Sequence, residues 1–142
     1  DFLKKNWPKK LPQGVIHADL FPDNIFFKNN SISGILDFYF SCYDFLIYDL
    51  AIAVNAWCFI EGNFEKNKFH NIVAGYQTIR NLERKETDAF NIMLRGASMR
   101  FFLTRQFDKL DKENNELVKK KNPKEFLNIL KFHIENKIRH KE

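Results

Sequence analysis

The run YDLAIAVNAWCFIE, residues 48–61, constrains this chain more than any other stretch. It is apolar nearly all round, and a helix of that kind has to be buried on most of its faces. Three further helices are predicted around it. In residues 63–79, Phe69, Ile72, Val73 and Tyr76 recur at helical spacing. Residues 87–110 form the longest periodic stretch, with Thr87 as the expected N-cap. Residues 122–138 open with Asn122 as cap and Pro123 at the first helical position.

The first third of the chain reads differently. Residues 1–13 are polar with two prolines and read as a lead-in segment. GVIHA and NIFFK then read as strands, Asn29 and Asn30 suit a tight hairpin turn, and ISGILDF reads as a third strand. A short β-hairpin region followed by about four helices makes an α+β fold, mostly helical. At 142 residues the chain suits a single domain, 1–142, with a sizeable core.

Composition narrows the function classes. The net charge of +5 comes from 23 basic and 18 acidic residues, but the lysines are scattered apart from Lys119, Lys120 and Lys121. That run reads as a solvated connection, and basic clusters interleaved with stacking aromatics do not stand out, so no nucleic-acid partner is expected. No apolar run approaches a membrane span and no signal peptide is visible, so neither a membrane nor export is expected. Cys42 and Cys58 sit in no metal or redox spacing and are expected as reduced core thiols of a cytoplasmic protein. Met93 and Met99 have only core readings, and of the adjacent Phe101 and Phe102 at least one should pack inside. The chain begins at Asp1 rather than Met and is expected to be a piece of something longer.

The chemistry concentrates in VIHADLFPDN, residues 15–24, where an apolar strand runs into His17, Asp19, Asp23 and Asn24. Asp37 closes the third strand. The spacing His-x-Asp-x-x-x-x-Asn is that of a phosphoryl-transfer loop with Ala18 at the second position. In such a loop the Asp orients the attacking hydroxyl and takes its proton. An Asn on the same loop and an Asp from the next hairpin supply hard oxygens to magnesium. A hairpin from Asn24 to Asp37 would return the second ligand to the first. A polar turn between strands is the plain alternative, and Asp23 beside Pro22 reads as a turn residue in either case.

These residues carry a resemblance. HADLFPDN with the following hairpin and Asp37 resembles the C-terminal lobe of the choline and aminoglycoside kinase-like phosphotransferases, which have a protein-kinase-like fold. GVIHADLFPDNIFF, GILDFYFSCYDFLIYDLAIAVNAWCF, RGASMRFFLTRQFD and NPKEFLNILKFH together resemble the homoserine kinase branch of that family. The resemblance runs from about Leu11 to His133. It implies Asp19 as the catalytic Asp, Asn24 and Asp37 as magnesium ligands, and ATP as co-substrate. His17 would pack beneath the loop and bond its backbone, and Asp49 would begin a buried helix and brace the loop. Where many relatives read Gly-Asp-Pro, this chain has Tyr43, Asp44 and Phe45, a departure that bears on Asp44 more than on Asp49.

The resemblance further implies an N-terminal lobe with a phosphate-covering loop and an ATP-gripping Lys. The chain has five glycines and none in a phosphate-loop pattern. It is therefore expected to supply the catalytic Asp, the metal ligands and the acceptor pocket, and to need the missing lobe. For an amino-acid acceptor with a carboxylate and an ammonium, the expected contacts are Arg100 and Trp57, with Arg105, Asn55 and Glu61 as further helical candidates. Five-residue spacing should send at most one of the two arginines inward, and a solvated or interhelical ion-pair role is the plainer reading for each of these residues. Two rivals stay open: a kinase for choline or an aminoglycoside, and a truncated, non-catalytic binding lobe. The missing lobe also predicts an exposed apolar face and self-association.

Overall fold

The computed structural model describes residues 1–110 and 121–138, so Lys119 and Lys120 of the expected solvated connection lie outside the described residues. The described residues are mostly helical with three small antiparallel sheets.

The polar lead-in is not all coil. Helix α1, Phe2–Asn6, occupies its first residues, and Trp7 beyond it sits edge-on to Tyr48 at 5.9 Å. A Cβ at Gly96 would overlap the Trp7 indole, so the glycine is what lets this segment lie against the long helix. Strand β1, Gln13–Ile16, pairs antiparallel with β4, Cys42–Phe45. The hairpin of β2, Ile25–Lys28, and β3, Ser31–Ile35, turns through Asn29 and Asn30, both at positive φ. That backbone is the one a two-residue hairpin loop requires, and asparagine tolerates it.

Helix α2, Leu46–Trp57, buries eight consecutive or near-consecutive residues from Ile47 to Asn55. It packs on α4, Arg84–Leu110, which in turn packs on α5, Pro123–Glu135, while α3, Lys66–Gln77, covers another side. Phe69, Phe126, Ile47, Ile52, Met93 and Ile129 are fully buried between these helices. The Asn122 side chain caps α5 by accepting from Lys124 N–H at 3.0 Å, with Pro123 in the first turn.

Several expectations need correction. The apolar run does not stay helical to Glu61: α2 stops at Trp57, and β5, Phe59–Ile60, pairs with β6, Asn63–Phe64, through Glu61 and Gly62 at positive φ. Glu61 is thus an exposed turn residue and belongs to no helix. The long helix starts three residues early, at Arg84, where Glu86 Oε2 accepts from Glu83 N–H at 3.0 Å. Thr87 is therefore inside the helix rather than its cap, and its hydroxyl donates back to Arg84 O at 2.8 Å. Cys42 is exposed on an edge strand, not a core thiol, whereas Cys58 is buried and desolvation pushes its thiol up to about 12. Met93 and Phe101 are buried, and Met99 and Phe102 only half-buried.

Large apolar side chains gather at the surface between residues 15 and 43. Tyr39 is 86% exposed and Val15 80%, and Phe26, Phe27, Ile32 and Phe38 are also exposed.

Candidate active site

Strand β1 ends at Ile16, and the chain then crosses above the N-terminal end of α2. There Asp49 Oδ2 accepts from His17 N–H at 3.0 Å and Asp49 Oδ1 from Ala18 N–H at 2.8 Å. Asp49 lies in the first turn of α2, where the helix dipole also favours its charge. The His17 ring is buried and bonds at both nitrogens. Nδ1 accepts from Asp19 N–H at 3.2 Å, so Nε2 carries the proton and donates to Leu36 O at 2.8 Å. Phe38 packs against that ring at 4.7 Å. His17 thus ties the loop to the far end of β3.

Phe21 anchors the middle of the loop. It is buried and meets Phe101 at 4.9 Å and Phe126 at 5.8 Å, on α4 and α5. The sequence signal for this anchor is an apolar residue, Phe21, between Asp19 and Asp23. Pro22–Asn24 then make one 3-10 turn, and the exposed Asp23 pairs with Lys121 at 2.7 Å, which holds its carboxyl below the usual range.

Asn24 and Asp37 come together as the hairpin closes. Ile25 pairs with Ile35, and Leu36 N–H donates to Asn24 O at 2.9 Å. Asn24 Nδ2 donates to Asp19 O at 2.8 Å and to Asp19 Oδ2 at 3.1 Å. Its Oδ1 is therefore left without a partner among the described residues. Asp37 is exposed, in left-handed conformation, and among the described residues its Oδ1 meets only Tyr39 N–H at 3.4 Å. An amide oxygen and a weakly engaged carboxylate, just before β2 and just after β3, could hold magnesium, with water and phosphate filling the rest. No group of three His, Cys, Asp or Glu among the described residues could form a tighter site.

Asp19 stands half-buried beside this pair. Desolvation raises its pKa, the Asn24 amide and the Arg100 guanidinium draw it back, and the Asp37 charge raises it. The result is a carboxylate that holds a proton more readily than an exposed one.

The remaining candidates divide. Arg100 Nη1 donates to Ala18 O at 2.7 Å, and Trp57 Nε1 donates to Leu20 O at 2.9 Å. Both arginines turn inward, against the expectation of at most one. Arg105 is buried, pairs with Glu125 at 2.6 Å and lies over Phe126 at 4.4 Å, an interhelical role. Asn55 is a core residue rather than a pocket one: it donates to Leu94 O and Ser98 Oγ, each at 2.9 Å, and accepts from His133 Nε2 at 2.8 Å. Asp44 Oδ1 accepts from the adjacent Phe45 N–H at 2.7 Å, just ahead of α2.

This geometry has relatives. The phosphotransferase enzyme family profile matches residues 1–82. The chain is 49% identical over 133 residues to the homoserine kinase of Sinorhizobium medicae, a match covering 93% of this chain and 41% of that protein. It is 48% identical to the homoserine kinases of Rhizobium meliloti and Brucella canis, over 93% and 94% of this chain respectively. It spans about 41% of the length of each of these relatives. Loop, hairpin and helical body all fall within these matches, and the chain belongs to the phosphotransferase enzyme family.

Proposed function

We propose that this chain is the C-terminal lobe of a cytoplasmic, ATP- and magnesium-dependent kinase that phosphorylates the side-chain hydroxyl of L-homoserine, a step of threonine biosynthesis. The observation that carries the phosphotransfer reading is the meeting of Asp19, Asn24 and Asp37 at one end of the β2–β3 hairpin. The acceptor is taken from the named relatives, which match over nearly the whole chain.

In this reading Asp19 accepts a hydrogen bond from the acceptor hydroxyl, orients its oxygen toward the γ-phosphorus and takes the proton as the new P–O bond forms and the bond from the γ-phosphorus to the β–γ bridging oxygen breaks, releasing ADP. Its half-burial and raised proton affinity suit that duty better than a fully hydrated carboxylate would. Asn24 Oδ1 and the Asp37 carboxylate would hold magnesium, which when bound neutralises phosphate charge. Arg100 and Trp57 stand on either side of Asp19 through their bonds to Ala18 and Leu20. The nucleotide-gripping lobe lies outside this chain and is expected to cover the exposed apolar residues of the 15–43 region.

The test is ADP release by the full-length gene product with Mg-ATP and L-homoserine, choline or an aminoglycoside, with Asp19→Asn as control. Turnover confined to homoserine and lost in the control is expected. Turnover with another acceptor alone would replace homoserine, and full activity of Asp19→Asn would end the assignment of Asp19.

A further inference from the structure

Four successive carbonyls around Asp19 are each met by a side chain. Ser41 Oγ stands 3.5 Å from His17 O, Arg100 Nη1 2.7 Å from Ala18 O, Asn24 Nδ2 2.8 Å from Asp19 O and Trp57 Nε1 2.9 Å from Leu20 O. Ala18 is gripped at both ends, since Asp49 takes its N–H at 2.8 Å while Arg100 takes its C=O. That residue sits at φ 62, in the left-handed region that an alanine adopts only at a cost. Charge-assisted bonds on both sides are a sufficient restraint for it. The Arg100 guanidinium also lies over the rings of Phe40 at 5.4 Å and Phe101 at 4.7 Å, which fixes its direction. Trp57 is held edge-on to Phe27 at 6.3 Å.

We propose that Arg100 and Trp57 are positioning residues for Asp19: they hold the carbonyls on either side of it, and Arg100 together with Asp49 keeps Ala18 in its left-handed conformation. The sequence offered both as acceptor contacts, and each spends a polar group on the loop backbone. This inference rests on Asp19 being the catalytic carboxylate, whatever the acceptor. A rigid frame matters there because a displacement of about 1 Å at the reacting group costs on the order of a hundredfold in rate.

The test uses the full-length gene product carrying Arg100→Met, Arg100→Lys, Trp57→Phe, Ala18→Gly, and Ala18→Gly combined with Arg100→Met. Arg100→Met is expected to lower kcat about a hundredfold with the acceptor KM within about threefold, as for a group acting through Asp19. Arg100→Lys, which can still donate to Ala18 O, should recover part of that loss. Adding Ala18→Gly should restore about tenfold, because glycine enters the left-handed region freely. Trp57→Phe, which keeps an aromatic ring and loses only the N–H, should cost about tenfold in kcat.

A tenfold or larger rise in acceptor KM with kcat intact, and no effect of the added glycine, would overturn the proposal and make Arg100 an acceptor contact. Amide hydrogen exchange reads the same question without turnover. Arg100→Met should loosen residues 17–24 and leave α2 as protected as in the unaltered protein. Unchanged exchange in the loop would overturn the positioning role. Should the unaltered protein fail with every acceptor, the kinase reading falls, and the exchange result still decides the frame.

Discussion

In the helical core, the buried polar side chains of the described residues bond mainly across helices. Asn55, Ser98 and His133 bond across α2, α4 and α5, and Met93, Ile129 and Phe126 exclude water around them. In the 15–43 region the arrangement reverses. Apolar rings stand at the surface, Ala18, Asn29, Asn30 and Asp37 adopt left-handed backbone, and polar side chains hold the main chain in place. The core is arranged to be stable whatever approaches it, and the loop region is arranged to present oxygens. The two should therefore respond to substitution in opposite ways.

The largest effects should separate cleanly. Asp19→Asn is expected to lower kcat by roughly 10²–10⁴-fold, the range of a lost general base. It should leave the thermal midpoint nearly unchanged, because the desolvation of the half-buried carboxylate offsets what its bond from Asn24 contributes. Phe126→Ala should do the reverse. It removes the ring that Phe21, Phe101 and Arg105 pack on, and is expected to cost about 3–5 kcal/mol of stability in chemical denaturation. Equal destabilisation by the two substitutions would break the division drawn here.

How much of this could be read beforehand follows the same division. The Asn122–Pro123 start of α5 and the Asn29–Asn30 turn are local devices, written within two adjacent residues, and were legible. Cys42, Glu61 and Thr87 were misplaced because each sits at a boundary, where a neighbouring strand or turn decides the outcome. That Asp19, Asn24 and Asp37 lie together showed in their spacing, since the hairpin between them is short. The targets of Arg100 and Trp57 did not show. Their bonds span 82 and 37 positions, and nothing near either residue says that a carbonyl of the loop waits there. Asn55 and His133 meet across 78 positions for the same reason.

His133 gives an intermediate effect, through pH. It is fully buried, and desolvation, reinforced by the Arg95 charge, lowers its pKa to about 4 from 6.5. Asn55 uses its amide hydrogens on Leu94 and Ser98, so its oxygen accepts from His133 Nε2–H, and the ring is bound neutral. The unfolded chain takes up this proton near pH 6.5 and the folded one only near 4. The stability is thus complete above pH 6.5 and declines as pH falls toward 4, by about 3 kcal/mol in all. Denaturation midpoints across that window should show the decline, and His133→Gln, which can still donate to Asn55, should flatten it. An unchanged slope in His133→Gln would move the titrating group out of the core.

The smallest effect belongs to the pair that joins the two regions at the surface. Lys121 donates to Asp23 at 2.7 Å and lies 5.3 Å from the Phe21 ring, linking the loop to the start of α5. Both side chains are more than half exposed, so water and salt screen the attraction. Lys121→Ala should cost well under about 1 kcal/mol in denaturation and leave kcat within about twofold. Phe21, packed on Phe101 and Phe126, carries the attachment that Lys121 only borders. A loss of activity in Lys121→Ala that high salt reproduces in the unaltered protein would instead make this surface pair part of the frame around Asp19. The boundary between core and loop would then run through α5 rather than beside it.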